Sequence, residues 1–420
     1  MGGVFFVVSS LFCAGCSSRN IGAFNCGNGI IEPQEVCDGS NLGGQTCVTV
    51  GYSGGGNLAC LPDCLGFDTS GCVKWQSISV GENHTCAVRR SDETAWCWGY
   101  GWDGQLGYGE PKHDYDGTTP VQVAGMTDVV SISAGKKHTC AVKSDGTAWC
   151  WGANFFGQLG VEAGGKRITP VRIRGLTDVT EISCGEYHTC AVQKDRTAWC
   201  WGYNASGQLG DGTKITRTRP VPILDDVIRI SAGGKPPCAV TSDGTAWCWG
   251  WTDRDQTIDG IVYKKYTPTP ILEDAAAISA GDYYTCIVKR DRTVWCRGWG
   301  NEDSKVEVPS YHVDTPVKIL ENVAAVSVGS SHTCAIKADG KPWCWGYNWY
   351  GQLGDRTSEH RNLPVSVSGL ADVTEIAGGH HNTCAMKSNG SVWCWGKNSY
   401  GKLGDGTQEH KKAPVQVLWL

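Results

Sequence analysis

Gly135-Lys136-Lys137-His138-Thr139-Cys140-Ala141-Val142-Lys143-Ser144-Asp145-Gly146-Thr147-Ala148-Trp149-Cys150-Trp151-Gly152 holds two short runs of β-forming residues around a Ser-Asp-Gly turn. The stretch recurs along the chain. Its cysteines are found as 86/97, 140/150, 190/200, 238/248, 286/296, 334/344 and 384/394, with first members 48 to 54 residues apart. Self-similarity at such a period means a repeat architecture. Folding the stretch about Asp145 places Cys140 opposite Cys150, with Gly146 free to take the left-handed conformation of a three-residue hairpin loop. Facing Cβ atoms lie ~4.5–5.5 Å apart and approach disulfide reach in the closer pairs. The pattern therefore predicts seven cross-strand disulfides: Cys86–Cys97, Cys140–Cys150, Cys190–Cys200, Cys238–Cys248, Cys286–Cys296, Cys334–Cys344 and Cys384–Cys394. Zinc fits poorly, because two facing cysteines per unit lack the further ligands of a four-coordinate site.

Two more strands complete each unit. One precedes the hairpin, as Val130-Ser131-Ile132-Ser133-Ala134. The other follows it, as Pro120-Val121-Gln122-Val123, Pro170-Val171-Arg172-Ile173, Pro364-Val365-Ser366-Val367 and Pro414-Val415-Gln416-Val417. Four short strands repeated seven times predict an all-β, seven-bladed β-propeller of four-stranded blades. Side chains alternate along a strand, so Trp149 and Trp151 face one way and Cys150 the other. The Trp face of one blade should then pack on the disulfide face of its neighbour. Arg297 breaks the pattern in the fifth unit. A His two residues before the first Cys recurs as His84, His138, His188 and His332, and is expected to hydrogen-bond structurally rather than bind metal, since the four stand on different blades.

Residues 26–72 hold a further six cysteines, Cys26, Cys37, Cys47, Cys60, Cys64 and Cys72. A stretch so rich in Cys reads as a small disulfide-held module, with connectivity that spacing does not reveal. Glu32, Glu35 and Asp38 raise the question of a Ca²⁺ site; a solvated acidic turn is the simpler expectation. Val4 to Phe12 is an apolar run too short to span a bilayer. Cys184 is left over and stands where sister units have Ala, which predicts a small buried residue. The expected organisation is an export segment over 1–16, a linker over 17–25, the cysteine-rich module over 26–72 and the propeller over 73–420.

With Gly207-Gln208-Leu209-Gly210-Asp211-Gly212-Thr213 and the Gly-x-x-His-Thr and Asp-Gly-Thr-x-Trp-x-Trp-Gly motifs, the chain from about residue 75 onward resembles the regulator of chromosome condensation repeat family. The resemblance implies a seven-bladed propeller whose ring is closed by pairing between the terminal segments. It also offers an alternative function, guanine nucleotide exchange on a small GTPase. Its photoreceptor members carry Trp at positions that here are Glu82, Lys136, Glu186, Lys235, Asp282, Ser330 and His380, so light sensing is disfavoured. A secreted bacterial member binds an enzyme through one face. The Cys26 to Gly39 stretch resembles cysteine-rich repeats of secreted myxobacterial proteins, and Cys13-Ala14-Gly15-Cys16 resembles a lipobox. These imply a secreted or surface lipoprotein of a Gram-negative bacterium, lipidated at Cys16.

The chain's 23 cysteines fit an oxidising compartment, and 37 Lys plus Arg against 42 Asp plus Glu leave no basic block for nucleic acid. No nucleophile–base pair, carboxylate dyad or phosphate loop stands out, so a hydrolase or lyase is the least favoured class and no cofactor or metal is expected. The candidate binding residues lie in the loop after each Trp-Gly: Tyr100, Trp102, Phe155, Phe156, Tyr203, Trp251, Trp299, Tyr347, Trp349, Tyr350 and Tyr400, with Asp103, Asn154, Asn204 and Asn348 beside them. One loop per blade should gather them on one face. Such aromatics suit an extracellular protein or a carbohydrate. Membrane contact is expected only through the lipid on Cys16.

Overall fold

The computed structural model describes residues 26, 28–52, 56–110, 116–234, 236–250, 256–258, 261–263, 266–282, 284–298 and 313–418. The expected lipidation residue Cys16 lies outside them. Seven four-stranded antiparallel sheets form the propeller. Blade two shows the plan, with strands Val129–Ala134, His138–Lys143, Ala148–Ala153 and Lys166–Arg172 in sequence order across the sheet. Blade four departs from it, with a three-residue third strand, Ala246–Cys248, and an added hairpin of Gln256–Ile258 and Ile261–Tyr263.

All seven expected disulfides join directly facing residues of the central hairpins. Cys140 pairs with Cys150 in register, with Cα atoms 4.1 Å apart. That is the short spacing of facing residues without mutual backbone bonds. Gly146 turns the hairpin at φ 76°; Arg196 and Arg292 hold the same left-handed place at φ 71° and 65° in units that lack the glycine.

Tryptophans and disulfides interleave around the ring. Trp151 of blade two packs with Cys86 and Cys97 of blade one, and Trp201 with Cys140 and Cys150. Trp98 of blade one packs with Cys384 and Cys394 of blade seven, which closes the circle. Where Arg297 stands, no Trp among the described residues packs with Cys238–Cys248, and the apolar contacts split into two small clusters.

The first strand of each blade is innermost. Its serine reaches the next blade: Ser79 Oγ accepts the Ala134 N–H, Ser133 that of Cys184, Ser183 that of Ala232, Ser231 that of Ala280, Ser279 that of Val328 and Ser327 that of Gly378, each at 2.9 Å. Blade seven has Ala377 at this place. The histidines form a second belt. His84 Nε2 meets Thr139 Oγ1 at 2.8 Å and His138 meets Thr189 at 2.9 Å. Each Thr donates to the Gln105 or Gln158 carbonyl, so each His is the donor. Burial holds His84, His138 and His332 at a pKa of about 3, and they stay neutral.

Among the described residues the expected terminal clasp is absent. Every sheet comes from one contiguous stretch: Lys411–Gln416 pairs within blade seven, and blade one begins with its own Trp75–Val80. The first unit has an outer strand of its own in Asp116–Gln122, so it needs none from the C-terminal segment.

The N-terminal region falls into two parts. One compact unit comprises the described residues up to 45 together with 58–70, with Cys26–Cys64 and Cys37–Cys60 inside it. There the buried Asp38 carboxylate accepts the Asn28, Gly29 and Ile30 N–H groups, and Glu35 accepts that of Glu32. These carboxylates organise a turn. Thr46–Asn57 belongs to the propeller unit, stapled by Cys47–Cys72 and held where Asn389 Nδ2 donates to the Gly51 carbonyl at 3.2 Å.

Candidate binding face

In blades two, three, six and seven the loop after Trp-Gly is built around a buried asparagine. Asn154 Oδ1 accepts the Leu159 N–H at 3.1 Å and its Nδ2 donates to the Glu162 carbonyl at 2.8 Å. Asn204, Asn348 and Asn398 do the same for Leu209, Leu353 and Leu403. Asn154, Asn204 and Asn348, which the sequence places beside the candidate aromatics, therefore present no amide to solvent. They are fully buried and consumed in shaping the loop.

With the loop fixed, the next residue points outward. Trp102, Phe155 and Trp349 occupy this place in blades one, two and six, and are 55%, 57% and 65% exposed. The second Trp of the hairpin, by contrast, is buried wherever it occurs, as Trp98, Trp151, Trp201, Trp249, Trp345 and Trp395. Equivalent positions in a ring of blades lie on the same face, so the three form a crest.

The following residue leans toward the next blade and meets two of its side chains. Phe156 packs against Tyr187 and Tyr203, with ring centroids 5.4 and 4.8 Å away. Tyr350 meets His381 at 5.3 Å and lies under Lys397. Tyr400 meets Tyr100 at 4.7 Å across the closing seam. Asp103 instead pairs with Lys137 at 3.3 Å. Tyr347 stacks on His360 at 4.4 Å, with Trp349 in a near-parallel plane. Trp251 and Trp299 lie outside the described residues.

Sequence reasoning missed Tyr187, His381, His360 and Lys397. Tyr187 and His381 stand one residue before the buried histidine position of Gly-x-x-His. That place is silent until the blades are docked, because its neighbours come from the preceding unit. His360 Nδ1 accepts the Asn348 N–H at 2.9 Å, as His410 does for Asn398. Burial keeps His381 at a pKa of about 3, with nearby His380, Lys402, His332 and Lys397 adding to the effect.

Glycines bring the blades together at the axis. A Cβ on Gly135 would stand 2.5 Å from the Gly185 carbonyl of the next blade, closer than atoms approach. The next residues rim an axial opening of about 360 Å³: Glu82, Lys136, Glu186, Asp282, Ser330 and His380. Lys235 is outside the described residues. Lys136 bridges Glu186 at 2.6 Å and Glu82 at 3.7 Å. Burial opposes its charge, but the bond to Glu186 and the two carboxylates prevail and raise its pKa. Beside this rim a second concavity of about 380 Å³ is lined by Lys137, Phe155, Phe156, Glu186, Tyr187 and Tyr203.

Known proteins with these features share the repeat. The profile of the RCC1-like domain matches residues 39–272, and profiles of the regulator of chromosome condensation (RCC1) repeat match 275–303, 323–352, 339–386, 373–402 and 389–420. The X-linked retinitis pigmentosa GTPase regulator homolog of Caenorhabditis elegans is 37% identical over 87 residues, which is 20% of this chain and 6% of that protein. The ultraviolet-B receptor UVR8 of Arabidopsis thaliana is 35% identical over 97 residues, 22% of this chain and 21% of that one. The chain thus spans under a quarter of these relatives. The human WBSCR16 structure superposes with a TM-score of 0.68 at 21% identity, covering 79% of this chain and 94% of that one, which shows a shared fold.

Proposed function

The chain belongs to the regulator of chromosome condensation repeat family, and from that premise we propose that it is an extracellular binding scaffold working through the crest of Trp102, Phe155 and Trp349. The crest is the observation that carries the reading. Three large aromatic side chains stand more than half exposed at equivalent loop positions of one face. Exposed aromatics of this kind are the usual anchors of a partner surface. Ten disulfides, one in every blade and three before them, support an oxidising compartment. In this reading the chain is exported, anchored through lipid on Cys16 and spaced from the membrane by the cysteine-rich region. The ligand is a surface protein or a glycan.

Two measurements test it. Mass spectrometry of the native protein should find the blade cysteines oxidised; reduced cysteines would remove the extracellular reading. Binding to surface-protein extracts and glycan arrays should fall sharply in a Trp102→Ala/Trp349→Ala variant that melts like the wild type. Equal binding by the variant would sink the crest as the binding element.

A further inference from the structure

The positions that form an inter-blade contact on this face carry different chemistry around the ring. Between blades one and two they are an ion pair, Asp103 with Lys137. Between blades six and seven they mix an aromatic ring with basic groups, Tyr350 with His381 and Lys397. Between blades two and three all three are aromatic: Phe156, Tyr187 and Tyr203. Their rings meet at 55° to 79°, so they wall a groove rather than stack into a solid block. Phe155, more than half exposed, stands at its lip. A concavity of about 380 Å³ is within the ~300–1,000 Å³ range of small-molecule sites.

The polar groups at the groove decide what fits. Lys137 and Glu186 line it, and Lys136 lies 5.3 Å over the Tyr187 ring. Each charge already has a partner: Lys137 has Asp103, and Lys136 has Glu186 and Glu82. A cationic ligand drawn to the aromatic faces would meet the Lys136 ammonium already over the Tyr187 ring and the Lys137 ammonium in the groove wall. An anionic ligand would face Glu186 and find no uncommitted positive charge. A purely apolar side chain would strip water from Lys137 and Glu186 and return no hydrogen bond. A ring with an apolar C–H face and hydroxyls at its edge satisfies every part. It can lie on the aromatics while its hydroxyls donate to Glu186 and accept from Lys137.

We propose that the groove between blades two and three, walled by Phe155, Phe156, Tyr187 and Tyr203 with Lys137 and Glu186 at its edge, binds an uncharged saccharide. The assignment rests on the binding-face reading and narrows it to one ligand class at one seam. Ion pairs on both sides hold Lys137 and Glu186 in place before the ligand arrives, which limits the ordering cost of binding.

The test uses the full disulfide-bonded chain and an array of neutral mono- to tetrasaccharides, followed by calorimetry on any that bind. Glucuronate and a trimethyl-lysine peptide serve as the anionic and cationic arms. The expected result is binding of a neutral saccharide, weakened about tenfold or more by Phe155→Ala and by Tyr187→Ala. Leu363→Ala, exposed on the outer strand of blade six, should leave it unchanged. Phe155 is exposed, so its variant should fold even if the Tyr187 variant does not. Binding of only the charged probes, or of no neutral saccharide, overturns the proposal. So does saccharide binding that survives Phe155→Ala. If Trp102→Ala/Trp349→Ala abolishes capture of a surface protein while no saccharide binds, the binding face stands and the saccharide groove falls.

Discussion

Lys402 Nζ donates to the Glu82 carbonyl at 2.6 Å across the seam where the last blade meets the first. In blades two, three and six the same position is a Gln whose side-chain oxygen accepts a loop N–H, as Gln158 does from Phe156. Lysine cannot accept, and Tyr400, the counterpart of Phe156, sits at φ 69°. The seam is unusual in other ways. Asn382 replaces the belt histidine, and both its buried side-chain polar atoms lack a partner. Trp98 Nε1 also lacks the carbonyl bond that Trp151 makes. With no strand clasp among the described residues, the ring closes here on Lys402–Glu82, on Thr85 donating to the Lys402 carbonyl at 2.8 Å, and on Glu375 accepting the Ile78 N–H at 3.3 Å.

Lys402 should make stability rise with pH above neutrality. Burial, with Lys397 adding to it and Glu82 opposing, lowers its pKa from 10.5 to about 7. Between those values the unfolded chain holds a proton that the folded one has released, so folding gains as pH climbs. Denaturant titrations at pH 7 and pH 9 should show this gain. Lys402→Gln should flatten it and stabilise the protein at pH 7 by on the order of a few kcal/mol. An unchanged slope in the variant would refute the assignment.

Glu181 and Glu375 should act oppositely at lower pH. Burial raises both to about 7, against weaker opposing effects from Arg229 and the Ile230 N–H at Glu181 and the Ile78 N–H at Glu375. Between about 4.5 and 7 the folded state binds more protons than the unfolded one, so stability falls as pH rises through that window. A Glu181→Gln/Glu375→Gln variant should lose this fall. Gln at 375 keeps an oxygen for Ile78, so the seam bond is retained.

Ala377→Ser should add the seventh link to the serine belt. Ser327 holds the Gly378 N–H at 2.9 Å, while Ala377 offers no hydroxyl to Val80 in blade one. A gain of ~1 kcal/mol is expected from one such bond, and Ser327→Ala should lose ~1–3 kcal/mol by stranding an N–H. Thermal melts of the two variants moving in opposite directions would bear this out; a destabilised Ala377→Ser would contradict it.

Cys184 should be inert in the native state. It is buried, and burial pushes its thiol to about 12 against the hydrogen bonds of Ser133, Cys140 and Thr189. The thiolate is the reactive form, so iodoacetamide at pH 8 should leave the Cys184 peptide unmodified until denaturant is added. Rapid native labelling would show the thiol to be accessible.

Much of the fold is legible locally. The offset of Cys140 from Cys150 around one turn sets hairpin, register and disulfide together, because strand side chains alternate with a period of two. The spacing of the pairs sets the blade count for the same reason. The crest residues Trp102, Phe155 and Trp349 were also within reach, as outliers in a loop of fixed pattern. The groove was not: Phe156 lies 31 residues before Tyr187, and only blade docking brings them together.

The sequence by itself thus determined the seven-bladed ring, its in-blade disulfides and the interleaving of Trp with Cys, since each follows from short-range alternation repeated along the chain. The tertiary structure alone decided which strand lines the axis, how the ring closes without a clasp, and which side chains wall the groove between blades two and three. Those depend on contacts between different blades, up to 320 residues apart at the closing seam, where packing and buried hydrogen bonds choose the partner and no local pattern records the choice.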